Sequence, residues 1–522
     1  MALASVALFG APAKAVDLAA AEAAIRELDV ERATQLLAGT RGPETSYLRA
    51  LLAVYSADCD AAVAQLSSPA LRAPDNAAHV YAVAKGCAGA TAGALVVSDE
   101  KHGVWLRLQD ESDQVLVPLI IDSAARARDA IERDLGVKLP RPLRIDVVRD
   151  LFSLSAVSGL PLEAAETTGT VAVARWGRIT LVSPRAMQRG YSWQDTLAHE
   201  ITHLLLARGS RDEAPLWLQE GIAKREETRW RPPRPFDREP DPDKVAYDAL
   251  VQGKSVGIDQ LGPSIAMLPS PEAASIAFAE VVSFMGYWIE KNGPAALPLL
   301  LADLKVTGDA ERAMKSVSGY GLTDWKLRWQ AELRTRFAGT ESEWPLGPLQ
   351  EAGGVAPKDV ARWLRLGELL SNAGKSKALL GLLEPDLERA GQVAPLRWQL
   401  ARAAWLDGRK DGPALLGGFE QIDAVHGAWV ALRGHWALTD VLPPAGEVDA
   451  PPGSAMARRL ERRTPEELWE QAVAIDPLLV DVACEGYPKE LPVPSQAPPL
   501  PSDAARRALC EHVRKLPARG SE

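Results

Sequence analysis

Histidine, cysteine and methionine are scarce in this chain, at 7, 4 and 6 residues among 522. No C-x-x-C pair, phosphate-cradling glycine loop or G-x-S-x-G nucleophile turn occurs, so redox-dithiol, P-loop and serine-hydrolase chemistries lack their sequence signatures. No apolar run reaches the length of about 18 residues that a membrane-spanning helix needs. Lys and Arg form no cluster, and the net charge of −10 leaves no electrostatic footprint for nucleic acid or for anionic lipid. Tyr and Phe are few, 8 and 7, against 15 Trp. Trp363, Trp398, Trp405, Trp429 and Trp436 recur at near-helical spacing and read as core rather than as a ligand platform.

What is present is ordinary globular material, 47% hydrophobic and 25% charged, in a chain long enough for two to four domains. Residues 1–15 combine a short apolar stretch with Ala-Lys-Ala. This resembles an export leader with an A-x-A cleavage site, although no Lys or Arg precedes the apolar stretch. Residues 16–92 carry paired amphipathic patterns, "LAAAEAAIRELDVERATQLLAG" and "SYLRALLAVYSADCDAAVAQL", which predict helical hairpins. Residues 93–337 differ. Short strands are expected in "GALVVSDEKHGVWLRLQ", "LRIDVVRD" and around the Trp-Gly turn of "TVAVARWGRITLVSP", with a helix ending near Gly136. Residues 338–356 read as a linker. Residues 357–522 return to helices, with Trp363, Leu366, Gly367 and Leu370 on the W-x2-L-G-x2-Y spacing of a tetratricopeptide helix.

The chemistry concentrates in "DTLAHEITHLLL", Asp195–Leu206. His199 and His203 are four residues apart, so a helix places both on one face, able to aim two imidazoles at one point. Glu200 lies beside the first histidine, within reach of a water between them without being a ligand. An accidental H-E-x-x-H is expected in roughly one chain in a hundred of this length. Here the triplet is set among Leu197, Ala198, Ile201, Leu204, Leu205 and Leu206, where polar groups need partners and a metal supplies one. Zinc at a catalytic site takes three protein ligands, and "APLWLQEGIAKREE" offers Glu220 on a second helix, next to a glycine that permits close backbone approach. Asp212, Glu213, Glu226 and Glu227 read as loop or solvated-face residues. The remaining histidines, His79, His102, His426, His435 and His512, are isolated.

"LAHEITHLLL" followed by "PLWLQEGIAKREE" resembles the gluzincin metallopeptidases, most closely the bacterial thermolysin-like group with a peptidase MA-like domain. The resemblance covers about residues 93–337. It implies an α+β, zincin-like fold: a small twisted sheet, active-site helices and a helical subdomain, here flanked by all-α helical-hairpin repeats. It implies Zn2+ held by His199, His203 and Glu220, with Glu200 as catalytic base. Two positions depart from the family. Lys224 stands where thermolysin has a histidine-orienting Asp, and Phe278 stands where relatives often carry Tyr, leaving Tyr287 and Tyr247 as candidate oxyanion or substrate groups. The expected activity is zinc-dependent hydrolysis of peptide bonds, with an extended substrate adding along the "GRITLVSP" strand. The alternative is a zinc-binding, weakly active or inactive scaffold for protein interaction through the helical repeats. Expected partners are a peptide or protein substrate, with no nucleic acid and no membrane span.

The cysteines form two local pairs in sequence, Cys59 with Cys87 and Cys484 with Cys510, which fits disulfides made after export to a periplasmic or extracellular compartment; the alternative is four buried thiols. Non-reducing peptide mapping of protein from its native compartment is expected to recover Cys59–Cys87 and Cys484–Cys510. Crossed pairs would show instead that the two chain ends meet, and four free thiols would remove the pairing altogether.

Overall fold

The computed structural model describes residues 17–168, 170–184, 191–231 and 241–340, with shorter pieces between 363 and 433. The expected leader, most of the linker, and Cys484 and Cys510 lie outside the described residues.

Five helices open the chain: α1 (Leu18–Arg26), α2 (Val30–Leu37), α3 (Pro43–Tyr55), α4 (Cys59–Gln65) and α5 (Asp75–Ala90). Asp17, Asp29 and Asp58 cap α1, α2 and α4, each side chain accepting from a backbone N–H three residues on. Their shared core alternates small and large residues. Ala21, Ala24, Ala33, Ala50, Ala62 and Ala84 let the helices close, and Ile25, Leu48, Leu51 and Leu66 fill the space between.

The sheet is mixed and five-stranded, in the order β1-β2-β3-β5-β4: β1 (Leu95–Asp99), β2 (Val104–Leu108), β3 (Leu143–Val148), β4 (Ala172–Arg175) and β5 (Arg178–Val182). β2, β3 and β5 run parallel; β1 and β4 are antiparallel edges. The parallel strands are almost wholly buried, as strands covered on both faces must be. The "GRITLVSP" segment therefore does not offer the edge expected of it. β5 is paired on both sides, with Val147 opposite Leu181 and Ala174 opposite Ile179, and the edge on that side is β4. The β4–β5 hairpin turns through Trp176 and Gly177, at φ 57° and 69°. Two successive left-handed residues match the twist of a hairpin, and the tryptophan bears its cost by packing. Its ring lies against Tyr55 and His79, and its Nε1 donates to the Ser158 carbonyl.

α6 (Val117–Leu135) makes the crossover from β2 to β3 and stops at Gly136, φ 66°, where left-handed backbone suits glycine. α7 (Leu151–Ser158) and α8 (Leu162–Thr168) precede the hairpin. α9 (Trp193–Ser210) and α10 (Leu216–Glu226) follow it, then α11 (Pro242–Val251), α12 (Pro271–Asn292), α13 (Ala296–Thr307), α14 (Ala310–Ser318) and α15 (Leu322–Arg336). One core joins β2, β3 and β5 to α6, α9, α10, α12 and α13 through Leu106, Ile145, Leu181, Ile120, Ile201, Leu218, Phe284 and Leu300. The architecture is α+β, and no described helix is long and apolar enough to cross a membrane.

Further on, α16 (Ser376–Leu383) and α17 (Ala394–Leu406) pack as a pair, Leu379, Leu380 and Leu383 against Leu396 and Leu400, with Trp363 and Leu370 beside them. The rest of the expected repeat region lies outside the described residues.

Gly221 sets how closely α10 approaches α12. A Cβ there would stand 2.4 Å from Met285 Cγ and 2.8 Å from the Val281 carbonyl oxygen. Gly221→Ala is expected to overpack this crossing at a cost of about 1–3 kcal/mol. Calorimetry should show the corresponding transition lowered by several degrees; an unchanged melting temperature would mean that α10 and α12 part freely.

Candidate metal centre

α9 is buried on nearly every side, with Trp193, Leu197, Ala198, Ile201, Leu204, Leu205 and Leu206 all in the core. His199, Glu200 and Asp195 are buried with them. The helix is longer at both ends than the Asp195–Leu206 stretch that carries the motif. Its first turn is clamped to the chain beyond α10. Asp195 receives Arg231 Nε at 2.8 Å and Nη2 at 2.6 Å, and Trp230 Nε1 at 3.0 Å. The two helices that carry the motif are thereby locked together.

The i, i+4 spacing does what it implies. The rings of His199 and His203 lie with centroids 4.9 Å apart, both facing Glu220 from α10. Glu220 Oε2 is 3.4 Å from His199 Nε2 and 3.7 Å from His203 Nε2. Ligand atoms of the three residues all lie within 4.8 Å of one another, and the group can hold a metal ion. Donors at zinc-type bond lengths around a tetrahedral centre stand roughly 3.4 Å apart, so the spacing suits a small cation.

Charge makes the same demand. Glu200, Glu220 and Glu227 are three buried or half-buried carboxylates, and among the described residues Lys224 is the one ammonium set between them. With neutral imidazoles the cluster is short of positive charge, and ionised groups taken from water need compensation. The pKa values register it. Burial works to lower that of His199, yet its hydrogen bonds to Glu220 and Glu227 prevail and lift it to about 10. Burial works to raise the Glu220 carboxyl, and the two imidazoles hold it below the usual range instead. Glu200 is raised by burial, against the pull of both histidines.

Two residues expected at a solvated end of the helix prove to be inside. Glu227 Oε2 lies 3.3 Å from His199 Nδ1, on the side of the ring away from Glu220, and Lys224 Nζ holds the same carboxylate at 2.7 Å. Burial would raise Glu227, but Lys224 and His199 bring it down to about 2. Glu226 is buried too, paired with Arg225 and Arg229; burial lifts its carboxyl to about 7 against those cations, and Asp134 adds to the rise. A signal was present in the sequence. Glu220, Lys224 and Glu227 are spaced i, i+4, i+7, one helix face, and that face is the one turned to His199. The charged character of the segment suggested solvent; its periodicity indicated the site. Lys224 thus faces the cluster, and the carboxylate beside His199 Nδ1 is that of Glu227, three residues on. Asp212 and Glu213 are exposed, as expected.

The aromatic residues singled out from the sequence lie in different surroundings. Phe278 of α12 sets its ring edge-on to His199, centroids 6.2 Å apart, with Lys224 Nζ 5.6 Å from its centre. Tyr287 packs on Trp325 beneath Lys291, and Tyr247 packs on Phe337 beneath Lys244. Tyr191, not singled out from the sequence, is half-buried with its hydroxyl donating to the Val182 carbonyl; burial first, then Asp113 and Glu200, hold its pKa well above the usual phenol range.

A carboxylate behind a metal-ligating imidazole fixes its tautomer and strengthens it as a donor. Glu227→Gln is expected to weaken metal affinity about 10–100-fold, measured by competition with a chromogenic chelator. An unchanged dissociation constant would reduce Glu227 to an ion-pair partner of Lys224.

No family model matches the chain, and no curated protein matches it.

Proposed function

We propose that this chain is a zinc-dependent peptidase of the gluzincin kind, with a zincin-like domain spanning residues 93–337. The observation that carries the reading is the convergence of His199, His203 and Glu220, with Glu200 on the same buried helix. Two imidazoles and one carboxylate form a donor set that zinc accepts, and they would hold it through His199 Nε2, His203 Nε2 and a Glu220 oxygen. When bound, zinc supplies a Lewis acid that polarises a carbonyl and makes water acidic near neutral pH.

The remaining chemistry belongs to the chain. A Glu200 carboxylate oxygen takes the proton of the attacking water and holds it for the leaving amine. Glu227 and Lys224 orient His199 from behind. An extended peptide would add along β4, the edge strand against α9, in place of the internal strand β5. Export past the inner membrane, and docking of protein substrates on the flanking helical hairpins, belong to the same proposal.

A second reading, a zinc-binding scaffold with little turnover, is favoured by one observation. The ring against His199 is phenylalanine, which brings no hydroxyl to the reacting carbonyl.

Hydrolysis of a casein-type substrate by purified protein, read beside zinc content, separates the two. Glu200→Gln should lower the rate by about 10²–10⁴-fold and keep its zinc. His199→Ala with His203→Ala should lose zinc. Stoichiometric zinc without hydrolysis in the unmutated protein selects the scaffold, and full zinc in the double variant overturns the ligand assignment.

A further inference from the structure

Away from the metal centre, the sheet and the N-terminal helices meet around a second buried charged cluster. Arg107 of β2 and Arg178 of β5 flank Asp146 of β3. Arg107 Nε is 2.7 Å from Asp146 Oδ1, and Arg178 Nε is 3.1 Å from Oδ2, an ion pair whose angle falls short of a hydrogen bond. All three are buried, so two guanidiniums share one carboxylate in the interior. Their remaining donors reach carbonyls, Arg107 Nη1 to Ala57 at 2.9 Å and Arg178 Nη1 to Val54 at 2.7 Å. They also reach sulfur. Arg107 Nη2 is 3.5 Å and Arg178 Nη2 3.4 Å from Cys87 Sγ, and Arg178 Nη1 is 3.8 Å from Cys59 Sγ. Cys59, at the start of α4, is bonded to Cys87 of α5.

A disulfide sulfur carries no charge and accepts hydrogen bonds weakly, so in the bonded state the two guanidiniums have, among the described residues, the single carboxylate of Asp146 between them. A thiolate at Cys87 would be that counter-ion, with two charge-assisted donors already aimed at it. The two sulfurs are not equivalent. Cys59 Sγ lies 3.9 Å from the Ala57 carbonyl oxygen, an acceptor for a protonated thiol, whereas Cys87 faces both arginines. Burial and the neighbouring Arg107 and Arg144 press Arg178 toward losing its charge although Asp146 opposes them, which marks a site short of negative charge.

We infer that Cys59–Cys87 is a reversible redox couple, its reduced state holding Cys87 as a thiolate between Arg107 and Arg178. With glutathione as reductant, the Cys59–Cys87 bond breaks and the S–S bond of glutathione disulfide forms. Of the two glutathione thiol protons, one ends on Cys59 Sγ and the other goes to solvent. The reduced state exchanges a covalent link for a completed ion cluster, so the N-terminal helices stay on the sheet. A pair that only stapled α4 to α5 would gain nothing on reduction and would resist it.

The test uses the full chain equilibrated with glutathione mixtures under native conditions, with Cys59 and Cys87 scored by differential alkylation and mass spectrometry. The pair should open at glutathione ratios that leave far-UV and near-UV circular dichroism intact. Arg107→Gln should raise the reduced-to-oxidised glutathione ratio needed by tenfold or more. In Cys59→Ser protein labelled with 13Cβ-cysteine, the Cys87 signal, assigned by its loss in Cys87→Ser, should keep its thiolate shift well below pH 8. A pair that opens only on unfolding, or a Cys87 that titrates at or above an ordinary thiol, overturns the inference. The last measurement decides the matter even if Arg107→Gln fails to fold.

Discussion

Charge buried between two helices governs this molecule. α9 and α10 are enclosed by core on most sides, yet between them stand His199, His203, Glu200, Glu220 and Glu227. Ionised groups at such depth are tolerated only when compensated, and Lys224, the one ammonium there among the described residues, does not by itself balance three carboxylates. A bound cation would. The same arrangement gives the reading its chemistry, since burial strengthens every interaction with charge that develops in a reaction.

The rest of the central domain positions that pair of helices. Parallel strands β2, β3 and β5 form the floor on which α6 and α9 pack. The Asp195–Arg231 ion pair ties the start of α9 to the chain leaving α10, and Gly221 lets α10 settle against α12, which in turn sets Phe278 on His199. Each contact ties the motif helices to residues distant in sequence, and each limits how far one ligand can drift from the others. Sites held to within a fraction of an ångström need such support from residues outside the reacting set.

The Arg107–Asp146–Arg178 cluster follows the same rule with the opposite sign. At the metal centre carboxylates outnumber fixed cations; behind the sheet guanidiniums outnumber carboxylates, and the sulfurs of Cys59 and Cys87 are the nearest groups able to respond. Both clusters draw on the sheet, one where α9 packs on β4 and β5 and the other at β2, β3 and β5.

Local information carried the motif, the helix that bears it, the third donor on the next helix and the strand-rich character of residues 93–184. Each depends on spacing along the chain: i, i+4 for the histidines, alternation for strands, a Trp-Gly turn for the hairpin. The same local rule would have found Glu227, had helix face rather than charge been followed across "EGIAKREE". Other features were beyond it. That β5 is internal and β4 the edge depends on strand order, which alternation does not encode. That Phe278, and neither Tyr247 nor Tyr287, lies against His199 depends on how α12 crosses α10. That Arg107, Asp146 and Arg178 converge on a cysteine pair from the N-terminal helices depends on three strands and two helices meeting at once. Periodicity reports which face of an element is buried, and only packing decides what that face meets.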